Sequence, residues 1–216
     1  MPGVIDGLPG VGARSVSTAA LLGQVMFLVA AGIAFLALGS FIGRDLSRGA
    51  ALVCALGGFG MLIVQALGGE RFRVGAFAIG WLFAVALVIG LGLGPVLAYY
   101  ASADPAAITQ AAGTTALIVA AIGAGGLAIS KDLASWLRPL TFVVFGLVLV
   151  SIVLVLFGSG GSPILSLAIG GVSAVLILVD FNYLRRHGTE DQVVILATGI
   201  FVSTVNIFLS LLNLFS

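Results

Sequence analysis

Apolar runs long enough to cross a bilayer alternate with short polar punctuation along almost the whole chain. The first covers about residues 18–43 and closes at Arg44-Asp45-Leu46-Ser47-Arg48. The second, about 50–67, ends in Gly68-Gly69-Glu70-Arg71 and Arg73, and the third, about 74–100, stops before Ser102-Ala103-Asp104-Pro105. A fourth, about 108–130, stops at Lys131-Asp132, and a fifth begins at Pro139, a residue suited to a first helical position, and reaches 157. After a short turn at 158–162, Pro163 opens a sixth run to about 184; a polar loop from Arg185 to Gln192 precedes the seventh, 193–215. About 20 apolar residues span the hydrocarbon, so the pattern predicts an all-α integral membrane protein of seven transmembrane helices. The first run is too long for a signal h-region and Arg14 stands well back from the start, so it reads as a retained helix. Two domains of organisation follow: a short flexible tail at 1–17 and a seven-helix transmembrane domain at 18–216.

Composition closes other doors. The chain has 216 residues, 61% hydrophobic and 8% charged. Soluble domains carry roughly 25% charged residues, so lipid rather than water is the solvent here. A net charge of +1 without a basic cluster excludes nucleic acid as partner. One cysteine, Cys54, allows no internal disulfide, and one histidine, His187, excludes a His-rich zinc centre. The lone lysine, Lys131, sits in a polar stretch, which excludes a retinal Schiff base inside the bundle. No phosphate-binding loop, nucleophile elbow or zincin motif occurs, and no nucleophile and base share one site, so the chain is not expected to be an enzyme. Eight arginines against one lysine, with abundant Ala and Gly, point to a GC-rich bacterial genome.

Basic residues orient the spans. With seven crossings, Arg14, Arg71, Arg73, Lys131, Arg138, Arg185 and Arg186 share the side of the N-terminus, and only Arg44 and Arg48 face the other. By the positive-inside rule the N-terminus is cytoplasmic and the C-terminus outside, in a bacterial cytoplasmic (inner) membrane.

Glycine, at 31 residues, clusters inside spans: Gly57-Gly58-Phe59-Gly60, Gly90-Leu91-Gly92-Leu93-Gly94 and Gly123-Ala124-Gly125-Gly126. Small residues let helix backbones approach where lipid supplies no hydrophobic drive. Pro95, directly after the second cluster, predicts a kink or local break in span three. Gln65, Gln110, Thr114 and Thr115 read as interhelical hydrogen-bonding groups. Tyr99, Tyr100 and Trp136 fit an interfacial belt, Trp81 reads as lipid-facing, and His187 reads as a solvated loop residue beside Glu190 and Asp191.

Asp180, in Leu178-Val179-Asp180-Phe181-Asn182, is the one formal charge placed well inside a span. An acidic residue at the bilayer centre costs about 2.5–3.5 kcal/mol on insertion scales. Two readings stand: an ion-binding or proton-titrating carboxylate facing the bundle interior, or one that reaches headgroup water or pairs with Arg185 or Arg186. Span seven carries Gly199, Ser203, Asn206, Ser210 and Asn213 at steps of four and three, a small-and-polar stripe on one helix face. It must point into the bundle, either as helix-to-helix contact or as a polar permeation lining.

These pieces together resemble the Bax inhibitor-1 (transmembrane Bax inhibitor motif) family. The similarity runs through Ser17-Thr18-Ala19-Ala20-Leu21-Leu22, Gly90-Leu91-Gly92-Leu93-Gly94-Pro95-Val96-Leu97, Ile108-Thr109-Gln110-Ala111-Ala112 and Lys131-Asp132-Leu133-Ala134. It ends in Val179-Asp180-Phe181-Asn182 and Asn206-Ile207-Phe208-Leu209-Ser210-Leu211-Leu212, so it covers nearly the whole chain. The resemblance implies six helices surrounding a central seventh, and a pH-sensitive calcium leak gated by two aspartates, in spans six and seven. Asp180 takes the first position; the second is occupied here by Ser203. A lone carboxylate loses the shared-proton coupling of a pair and offers calcium, which prefers six to eight oxygen ligands, fewer charged ones. The basic partner that the resemblance places in span two is absent; Arg71 and Arg73 at that span's cytoplasmic end, with Arg185, are the candidate gating partners.

The leading expectation is a cation leak, with calcium as cargo, Asp180 near the cytoplasmic mouth as ion ligand or pH sensor, and Ser203 and Asn206 beside it. The alternative is a non-conducting protein acting in membrane protein quality control through a membrane-bound AAA protease, an association that the family resemblance implies. No resident cofactor is expected.

Overall fold

The computed structural model describes residues 17–156 and 162–215, with the side chains of 155 and 156 excepted. The predicted tail, up to residue 16, and most of the turn expected at 158–162 lie outside the described residues. Among the described residues there are seven α-helices: α1 Thr18–Gly43, α2 Arg48–Leu67, α3 Gly75–Ala103, α4 Pro105–Ala128, α5 Ala134–Leu156, α6 Pro163–His187 and α7 Val193–Phe215. Each is long and apolar enough to cross a membrane.

Helix starts follow side-chain caps. Ser17, Ser47, Asp104 and Ser162 accept the backbone N–H groups of Ala20, Ala50, Ala107 and Leu165, relieving donors that a helix leaves unpaired. Capping explains two shifted boundaries. Asp104 starts α4 at Pro105, ahead of the expected Ile108. Asp132 Oδ1 accepts from Ala134 N at 2.9 Å and starts α5 there, so Pro139 lies inside the helix rather than at its first position. Pro95 causes no break, and α3 is helical from end to end.

α7 is the central helix. Ala197, Ile200 and Phe201 along it are fully buried, and α1, α3, α4 and α6 pack directly on it. α2 rests on α3 and α5 on α6, and both face α7 across cavities. Phe27, Leu67, Leu117, Phe142 and Ile164 form part of the outward apolar surface that lipid would cover.

Two devices hold the bundle. Between α1 and α3, glycines bring backbones into direct contact: a Cβ at Gly39 would strike the Leu87 carbonyl, one at Gly90 the Leu36 carbonyl, and one at Gly94 the backbone of Gly43. Between α6 and α7, the stripe on α7 meets a matching stripe on the antiparallel α6. Ser166 Oγ donates to Asn213 Oδ1 at 3.1 Å, Gly170 sits against Ser210, Asn206 Nδ2 donates to Ser173 Oγ at 3.3 Å, and Gly199 lies beside Asp180. Asn206 and Asn213 thereby find partners that lipid cannot supply.

The end of α6 also fastens the loop between α4 and α5. Asn182, fully buried, places Nδ2 within reach of the Gly126, Ile129 and Lys131 carbonyls and accepts the Leu133 N–H through Oδ1 at 3.0 Å. Arg185 Nη2 donates to the Ile129 carbonyl. His187 Nε2 pairs with Asp132 Oδ2 at 2.8 Å. The Ala134 N–H and then His187 hold the Asp132 carboxyl below its usual range.

Three outcomes follow. Gly90→Leu overpacks the α1–α3 contact and costs about 1–3 kcal/mol, read as a lower Tm in detergent, whereas Gly80→Ala, with nothing within 4 Å, leaves Tm nearly unchanged. Asn182→Ala strands several loop groups and costs about 2–3 kcal/mol, with faster hydrogen exchange at 129–133. Because the Asp132 pKa is depressed on folding, its contribution is present above the ordinary carboxylate range and disappears as pH falls through the lowered value. Thermal melts between about pH 6 and 3 should therefore be flatter in Asp132→Asn than in the wild type.

Candidate functional site

Two cavities lie end to end between α2, α5 and α7. The larger, about 560 Å³, occupies the half of the bundle where the α2–α3, α4–α5 and α6–α7 connections meet. The smaller, about 300 Å³, lies further along and is walled mainly by apolar side chains such as Phe59, Leu93, Val148 and Leu209, with Asn206 and Ser210 at its α7 edge. Leu62, Val144, Phe145 and Val202 line both and form an apolar collar between them.

Asp180 lines the larger cavity. It lies near the end of α6, a helix whose opposite face (Leu178, Phe181, Asn182, Arg185) turns to α4 and its following loop. The side chain is 5% exposed, and among the described residues it makes no hydrogen bond or ion pair. α7 passes it with Gly199, where a Cβ would stand 3.3 Å from Oδ2, so the missing side chain leaves room beside the carboxylate. One turn on, Ser203 lines the same cavity without hydrogen bonding to Asp180.

Of the two readings of Asp180, the ion pair with Arg185 or Arg186 does not form. Arg185 follows by five residues, about 140° around the helix, and its guanidinium serves the Ile129 carbonyl instead. The three candidate gating arginines separate likewise. Arg73 lines the cavity at its exposed mouth. Arg71 stacks over the Phe77 ring at 4.5 Å, and neither it nor Arg185 lines the cavity. Asn206 borders the smaller cavity and bonds Ser173, so it is not beside Asp180.

Sequence reading missed Arg138 and Asp191, which join Arg73 at the mouth, and the part played by Gln65 inside. Gln65 does bridge helices, donating from Nε2 to Thr198 Oγ1 at 3.0 Å. Thr115 instead bonds the Ala111 carbonyl of its own helix, and Gln110 is exposed. Trp81 is half-buried and donates to the Met61 carbonyl at 3.3 Å, so it packs on α2 rather than simply facing lipid. His187 belongs to the last turn of α6 and partners Asp132, not Glu190 or Asp191. Spacing within one helix finds neighbours on that helix; these partners arrive from other helices and loops.

Among the described residues no three His, Cys, Asp or Glu side chains converge. A cation next to Asp180 would therefore complete its shell from neutral oxygens and water.

Comparison with known proteins agrees with this architecture. An uncharacterised membrane protein of Vibrio cholerae is 31% identical over 140 residues, 62% of this chain and 61% of that relative. The chain thus spans under two thirds of the relative's length. The family described as inhibitor of apoptosis-promoting Bax1 matches residues 18–216, the whole helical bundle, and the chain belongs to this Bax inhibitor-1 family of membrane proteins.

Proposed function

We propose that the chain is a cation leak pathway of the bacterial cytoplasmic membrane, with the mouth at Arg73, Arg138 and Asp191 opening to the cytoplasm and the apolar collar closing the path in this conformation. The observation that carries the reading is that Asp180 and Ser203 border one roomy cavity of about 560 Å³ instead of packing dry against each other. A carboxylate is expensive in a membrane span and earns its place where it meets water and ions. Excess basic residues on the loops around the mouth support the cytoplasmic assignment. The collar of Leu62, Val144, Phe145 and Val202 suits a gate that blocks ions by excluding water. The reading includes pH sensitivity: protonated Asp180 no longer attracts a cation, so the leak falls as the site takes up a proton. Calcium is the cargo that the family resemblance suggests.

Purified protein in liposomes loaded with calcium-, sodium- or potassium-sensitive dye tests the reading. Wild type should admit cation, and Asp180→Asn, which mimics the protonated form, should leak about tenfold more slowly, a difference of about 1.4 kcal/mol. Equal rates in the two proteins reject a role for Asp180 in permeation. No leak of any cation by wild type rejects conduction and leaves the quality-control role, whose own mark is recovery of a membrane-bound AAA protease on co-purification in mild detergent.

A further inference from the structure

Besides Asp180, two side chains that line the larger cavity, Gln65 and Gln192, have a carbonyl short of a partner. Gln65 on α2 is 2% exposed, and its Oε1 is buried with no hydrogen bond. The amide is oriented with its nitrogen on the Thr198 hydroxyl. The Thr198 hydroxyl carries one proton and gives it to the Val194 carbonyl at 2.8 Å. Its oxygen also accepts from the Gln65 amide nitrogen, at 3.0 Å. In this arrangement the Gln65 carbonyl is left without a donor, in a side chain that lines the same cavity as the Asp180 carboxylate. A buried carbonyl without a donor costs about as much as a lost hydrogen bond, and a ligand carrying positive charge removes that cost.

We infer that Gln65 and Asp180 together form a binding site for a monovalent alkali cation, sodium or potassium, in preference to calcium. The inference rests on the leak reading for its role in transport, though not for the binding itself. Its basis is charge count. Asp180 supplies one negative charge; Gln65, and Ser203 on the same wall, supply neutral oxygens. A monovalent ion bound there leaves the site neutral. Calcium would leave an uncompensated charge in a poorly solvated place, and the cost of burying charge rises steeply with its magnitude. Calcium sites reach useful affinity by accumulating carboxylates, and the further acid of this cavity, Asp191, is exposed at the mouth alongside Arg73 and Arg138. Gln65 also connects α2 to α7 through Thr198, so an ion held here touches the helix that borders the collar through Leu62.

Two measurements on the full chain test the site. In detergent, Tm should rise when choline chloride is replaced by sodium or potassium chloride at equal ionic strength, and the rise should vanish in Asp180→Asn and in Gln65→Met. In liposomes, wild type should pass sodium or potassium at least about tenfold faster than calcium. Gln65→Glu, which adds the missing carboxylate, should move that ratio towards calcium by about tenfold or more. Loss of the Thr198 contact alone lowers Tm in every salt and leaves the ion ratio unchanged, so an unchanged ratio in Gln65→Glu overturns the site. A wild-type Tm indifferent to the choice of cation overturns it too. If wild type leaks no ion at all, the leak reading falls, and the cation-dependent Tm still decides whether Gln65 and Asp180 bind.

Discussion

Hydrocarbon supplies no hydrogen bonds and gives one apolar helix no reason to prefer another, and this bundle is arranged around both deficits. Where helices must simply adhere, glycines let backbones meet: Gly39, Gly90 and Gly94 place α1 and α3 in backbone contact. Where polar side chains enter the membrane, several are matched across an interface. Ser166 with Asn213 and Ser173 with Asn206 tie α6 to the central α7, with small residues between them keeping the helices close. α2 and α5, which pack chiefly on α3 and α6, leave the cavities between themselves and α7, and the Gln65–Thr198 hydrogen bond ties α2 to the centre.

The spans themselves were legible because a membrane helix announces its length in apolar residues, and the small-and-polar face of α7 because its steps of four and three follow the helical turn. Its complement on α6 was harder to see, since Ser166, Gly170 and Ser173 resemble ordinary filler until α7 is laid antiparallel to them. Boundaries failed where a cap outweighed a proline, as at Asp132 and Pro139. The pairing of Asp180 with Arg185 was answerable in advance, because five residues put the two on different faces of the helix. The state of Gln65 was not: it depends on Thr198, 133 residues away, which arrives from α7 to meet the amide nitrogen.

The isolation of Asp180 is the last consequence of this division of labour. α6 has two duties near its end, and they lie on different sides. One side, through Asn182 and Arg185, fastens the α4–α5 loop; the other presents Asp180 and Tyr183 to the cavity. Of the basic groups that follow Asp180 closely in sequence, Arg185 is committed to a carbonyl of the loop and His187 to Asp132. The cavity's own arginines, Arg73 and Arg138, stay exposed at the mouth and do not bond the carboxylate. α7 adds no charge either, passing with Gly199 and Ser203 where the family resemblance places a second aspartate. The carboxylate is therefore left with space, neutral oxygens and no resident counter-charge. An ion that can shed part of its water and settle as a neutral pair fits that setting, and a second carboxylate would change which ion that is.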